Sequence, residues 1–141
     1  MANYCCAIRT NYFRVKDPEA FKNFMGKVYA GEDEIEVWEE VDRDNKLVFG
    51  FGCYSGISGL AVDDDECETD YDAFIEGLQK HVADDDAVII FEAGNEKLRY
   101  VIGSATIVTS RDYEYIDIVG EGTKLAAELL GNPKWKTRVD Y

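Results

Sequence analysis

His81 is the one histidine in the sequence. A histidine acts as a general base only where a nucleophile or a substrate proton lies within hydrogen-bond reach. No triad-forming pattern surrounds His81, so it reads as a boundary residue near the end of a helix. The glycine-rich stretch Phe49-Gly50-Phe51-Gly52, with Gly56 and Gly59 beyond it, lacks the fixed offsets and the strand-loop-helix setting of a phosphate cradle. These glycines suit a bulge or the close approach of another element better. Asp63-Asp64-Asp65-Glu66 offers oxygen ligands, but an EF-hand loop needs a central glycine that is missing here. Cys5, Cys6, Cys53 and Cys67 show no CxxC spacing, which argues against zinc. No catalytic residue, metal or cofactor is assigned on these grounds, and a binding role is expected rather than catalysis.

Charge is the more informative feature. The chain carries a formal net charge of −14. Residues 32–86 hold 19 acidic and three basic residues, a net of −16; the rest holds 10 acidic and 12 basic, a net of +2. Such a surface repels nucleic acid and anionic membranes, so direct binding to either is not expected. Its natural partner is a basic surface, such as that of a nucleic-acid-handling protein. Repulsion among clustered carboxylates costs stability, which asks for a reason beyond solubility.

Segment 34–42 shows where the charge could act. Glu34, Glu36, Trp38, Glu40 and Asp42 alternate onto one face of a strand, and Ile35, Val37 and Val41 onto the other. Same-face residues recur about every 6.8 Å, a spacing of the same order as that of backbone phosphates. Trp38 in that row could stack on an arginine or fill an apolar pocket. Asp63, Asp64, Asp65, Glu66, Glu68 and Asp70 form a second acidic candidate. The competing reading is an edge strand whose outward charges block aggregation.

The elements that must position these residues follow from periodicity. Residues 4–15 read as a strand. Asp17-Pro18 opens a helix with a capping side chain and a proline at its first position, and Phe21, Phe24, Met25 and Val28 mark its buried stripe. Residues 34–42 and 46–54 form a hairpin about Asp44-Asn45, and 55–60 reads as a loop. Thr69 with Asp72 resembles a capping box for a helix ending near Val82, with Phe74, Ile75, Leu78 and Val82 inward. Ala87 to Ala93 is a nearly continuous apolar run, the pattern of an interior strand covered on both faces. Gly94-Asn95 reads as a turn, 98–109 and 113–119 as strands, and 123–130 as a helix stopped by Gly131 and Pro133. The short links favour antiparallel pairing. The expected fold is α+β: a mostly antiparallel sheet of about six strands with three helices packed on it.

A chain of 141 residues fits one globular domain and needs no disulfide to hold a core. No apolar run reaches the roughly 20 residues of a membrane span, and the N-terminus lacks signal-peptide features. A cytoplasmic location with free thiols is the expectation. Self-association is left open.

Several stretches together resemble a family of small acidic proteins encoded on bacterial conjugative elements and phages. They are Arg9-Thr10-Asn11-Tyr12-Phe13-Arg14-Val15, Phe49-Gly50-Phe51-Gly52 followed by Ser55-Gly56, Phe91-Glu92 through Asn95-Glu96-Lys97-Leu98-Arg99-Tyr100, and Leu129-Leu130-Gly131-Asn132-Pro133. The resemblance covers most of the chain and carries no catalytic signature. It implies the company of antirestriction and anti-CRISPR proteins, which occupy nucleic-acid sites. The leading expectation is therefore an acidic inhibitor, in part a nucleic-acid mimic, that blocks a bacterial defence protein. An immunity or antitoxin-like protein would use the same face. A small-ligand-binding or enzymatic domain, with its pocket beside Cys53, Gly56 and the long strand 98–109, is the alternative of a different class.

Overall fold

The computed structural model describes residues 4–31, 34–62 and 65–138, with the backbone alone for 65–67. Its elements are β1 (Cys5–Thr10), α1 (Pro18–Met25), β2 (Val28–Ala30), β3 (Glu36–Val41), β4 (Leu47–Cys53), β5 (Ile57–Val62), β6 (Asp65–Asp70), α2 (Tyr71–His81), β7 (Val88–Glu96), β8 (Tyr100–Val108), β9 (Tyr113–Asp117) and α3 (Ile118–Leu130). Six strands form one sheet in the order β3-β4-β1-β7-β8-β9, and every pair in it is antiparallel. This is the α+β class expected from the sequence. The second sheet, β2-β5-β6, was not expected.

Strand register separates the large sheet into two unlike faces. Ile8, Thr10, Phe49, Phe51, Cys53, Val88, Ile90 and Val108 share the inner face. With Phe21 and Met25 of α1, and Phe74, Ile75 and Leu78 of α2, the apolar members form one buried cluster. Phe13, Phe21, Phe49, Phe51 and Phe74 are fully enclosed. Each such side chain contributes about 1.5–3 kcal/mol by leaving water. Edge-on contacts such as Phe13–Phe21, with ring centres 5.6 Å apart, add to this.

The departures from the sequence reading have local causes. β1 stops at Thr10 because the next side chain takes over the pairing. Asn11 Nδ2 donates to the Ala87 carbonyl at 3.0 Å, and its Oδ1 accepts from Ile89 N at 2.8 Å. Pairing resumes only as single bridges at Phe13 and Val15. α1 is capped as expected, with Asp17 Oδ1 accepting from Glu19 N and Ala20 N, but it ends at Met25; Val28, still buried, begins β2. Residues 55–60 were expected as a loop, but Ile57–Val62 is strand β5, and its Gly59 lies at φ 128° against the backbone of Asp70. Segment 65–70 has no apolar alternation, yet it pairs with β5 as β6. Asp70 rather than Thr69 caps α2, accepting from Ala73 N at 3.1 Å. Gly94 is no turn: it sits inside β7, where the Tyr4 phenol occupies the space a Cβ would need. The turn falls on residues 97–99, with Lys97 at φ 51°. α3 starts five residues early because Asp117 Oδ1 caps it, accepting from Gly120 N at 2.6 Å.

β7 is an interior strand between β1 and β8, as the apolar run implies. Only one of its faces is covered. Val88 and Ile90 are buried, whereas Phe91 is 47% exposed and Ala93 is also exposed. No helix of the described residues is long and apolar enough to cross a membrane.

Candidate protein-binding face

The outer face of the large sheet at its β3 end carries the candidate site. Trp38 pairs with Gly50, and Glu36 with Gly52, so these four residues point the same way. The indole lies across the two glycines. A Cβ on Gly52 would stand 2.9 Å from the ring, and one on Gly50 would stand 3.4 Å away. The glycines thus serve a close approach by two neighbours, the β1 backbone at the Ile8 carbonyl and the tryptophan of β3. The Arg9 guanidinium lies over the indole at 5.0 Å from its centre and 5.9 Å from the centre of the Tyr12 ring. The arginine that stacks on Trp38 is therefore the chain's own.

The acidic residues divide sharply by what they do. Glu34, Glu36 and Glu40 are exposed and have no ion pair among the described residues. Asp42 belongs to the hairpin turn, where its Oδ1 accepts from Asp44 N and Lys46 N, each at 2.9 Å. Glu39 points to the opposite face and pairs with Lys22 at 3.2 Å. Asp63 and Asp64 lie outside the described residues, and for Asp65 and Glu66 only the backbone of β6 is described. Glu68 is exposed, and Asp70 caps α2. Asp84, Asp85 and Asp86, part of the same acidic stretch, are structural. Asp84 meets Lys16 at 3.2 Å, and Asp85 meets Arg14 at 3.0 Å. Asp86 accepts from Arg14 N and Ala87 N, each at 2.8 Å. Hydrogen bonds from Lys16 and Arg14 hold the Asp84 and Asp85 carboxyls below the usual carboxylate range.

Arg9, Tyr54 and Phe91 join Glu36 and Trp38 around an open cleft of about 370 Å³. None of these three was singled out from the sequence for binding. Arg9 faces Trp38 only because β1 pairs with β4, and no local pattern encodes that. The cleft reaches Cys53, but Gly56 is not part of its wall. The Cys53 side chain is buried on the inner face, and its thiol donates to the Ser55 carbonyl at 2.6 Å. Cys5 points outward and Cys6 inward, as adjacent strand residues must. Burial, with Glu92 nearby, pushes the Cys6 thiol up, away from the reactive thiolate. His81 packs against Phe24 with ring centres 4.9 Å apart, and loss of solvation lowers its pKa. Among the described residues no three of His, Cys, Asp and Glu gather as a metal-binding group.

Comparison with protein-family models, with curated proteins and with solved structures finds no match for this chain.

Proposed function

We propose that the chain is an acidic binding protein whose β3 edge occupies a basic, nucleic-acid-handling surface of another protein. The observation that carries this reading is the split among the carboxylates. Asp42, Asp70 and the Asp84–Asp86 run are engaged by the chain's own backbone and cations at its surface. Glu36 and Glu40 have no ion pair among the described residues and lie on one side of an edge strand, with Trp38 between them. Edge protection requires only charge somewhere on the strand. It does not require an aromatic ring seated on two glycines and backed by a guanidinium. That construction fixes a flat amphipathic surface with a carboxylate at each end. The resemblance to proteins of mobile elements supports an inhibitor of the antirestriction or anti-CRISPR type, acting in the cytoplasm.

The test begins with a pull-down from bacterial lysate and proceeds to kinetics with the retained protein. Glu36→Lys with Glu40→Lys should slow association roughly tenfold or more at low salt and flatten its salt dependence, because exposed charges act through steering. Trp38→Ala should instead speed dissociation. Association of the charge-reversed protein at the wild-type rate would leave β3 as a solvated edge only.

A further inference from the structure

The cleft beside Trp38 holds two opposite charges that do not meet. Strand register puts Glu36, Gly52, Arg9 and Phe91 in one cross-strand row on the outer face. Two strand spacings, about 9.6 Å, separate the Glu36 and Arg9 backbones. Both side chains line the cleft of about 370 Å³, yet no ion pair joins them.

The separation has visible causes. Arg9 Nε donates to the Thr10 carbonyl at 3.2 Å, and the guanidinium lies over the Trp38 indole. Its two terminal amino groups, a fork that suits a carboxylate, have no partner among the described residues. Gly52 stands between the two charges and leaves a gap. A Cβ there would collide with the Ile8 carbonyl and the indole, so the gap is built into the strand pairing. Beyond Arg9 the row continues to Phe91, which is 47% exposed, and Ala93 also lines the cleft. A carboxylate, a guanidinium and an apolar surface thus border one cavity. Arg9 opposes a lone cation in it, and Glu36 opposes a lone anion. A ligand carrying both charges satisfies both groups, and because the charges are already in place its binding needs little reorganisation.

We propose that the cleft binds a free α-amino acid with an apolar side chain. Its carboxylate meets Arg9, its ammonium meets Glu36, and its side chain lies against Phe91 and Ala93. Glu36 is shared with the function proposed for β3, whereas Glu40 lies outside the cleft. The two readings therefore separate by substitution.

Isothermal titration calorimetry of the full chain with L-phenylalanine should give saturable binding. Phenethylamine, which lacks the carboxylate, and 3-phenylpropanoate, which lacks the ammonium, should each bind at least ~10-fold more weakly. Glycine, which keeps both charges and lacks the apolar group, should be weaker by a similar factor. Arg9→Gln and Glu36→Gln should each weaken L-phenylalanine binding at least ~10-fold with unchanged far-UV circular dichroism, and Glu40→Gln should leave it unchanged. No binding of L-phenylalanine overturns the proposal and leaves the β3 reading in place. Equal affinity for phenethylamine or 3-phenylpropanoate also overturns it, as does binding that survives both Arg9→Gln and Glu36→Gln. The ligand comparisons use the wild-type chain, so they decide the matter even where a variant fails to fold.

Discussion

Asn11 and Thr10 show how much one side chain can decide in this molecule. Thr10 is 1% exposed, yet its hydroxyl is fully used: it donates to the Asn11 carbonyl at 2.8 Å and accepts from Phe51 N at 3.0 Å. The Asn11 amide bridges Ala87 and Ile89 where the β1–β7 ladder ends. Both belong to a stretch that could be mistaken for a binding motif, and both serve the backbone. Replacing Asn11 by Ala leaves one carbonyl and one N–H without partners, each worth about 1–3 kcal/mol when buried. Asn11→Ala should therefore lower unfolding free energy by about 2–4 kcal/mol in urea titrations, whereas Tyr12→Ala next to it, at an exposed position, should cost less. Equal losses at the two positions would show that the bridge contributes nothing special.

At the level of elements, β7 is the most instructive. Its apolar run reads as a strand covered twice, and its place between β1 and β8 agrees. The strand nevertheless has one dry side and one open side. Ile90 is 4% exposed and Phe91 is 47% exposed. Ile90→Ala should cost about 2–5 kcal/mol. Phe91→Ala should cost about 1 kcal/mol or less. Comparable losses at both positions in urea titrations would mean that the outer face is covered within the monomer. β6 makes the opposite point. Its residues carry no strand pattern, and only hydrogen bonding to β5 makes them a strand.

For the whole molecule, pH is the simplest probe. His81 has a lowered pKa because its ring loses solvation against Phe24 and Phe21. A group whose folded pKa is depressed binds its proton more tightly when unfolded. Its contribution is present above the ordinary histidine value of about 6.5 and is lost as pH falls through the folded value. Asp84 and Asp85, held down by Lys16 and Arg14, act in the same direction at lower pH, below the ordinary value of about 3.9. Stability should therefore fall in two steps on acidification. His81→Gln should abolish the upper step in urea midpoints measured on either side of pH ~6 and leave the lower step in place. An upper step that persists in His81→Gln would assign it to another group.

The α+β class, the antiparallel pairing, the N-cap of α1 and the apolar identity of β7 are legible in the sequence, because each is written in local periodicity or in a few adjacent residues. The sequence also located the charge, since counting needs no fold. Which carboxylates stay unpaired depends on contacts between distant parts of the chain. Asp42, Asp70 and Asp84–Asp86 look like Glu36 and Glu40 in a charge count, and contacts with a turn, a helix end and two distant cations set them apart. The seating of Trp38 against Gly52 and Arg9, and the exposure of Phe91, likewise depend on which strands became neighbours. Strand pairing between residues as far apart as Arg9 and Phe91 is set by the whole core, and no local pattern in the chain contains it.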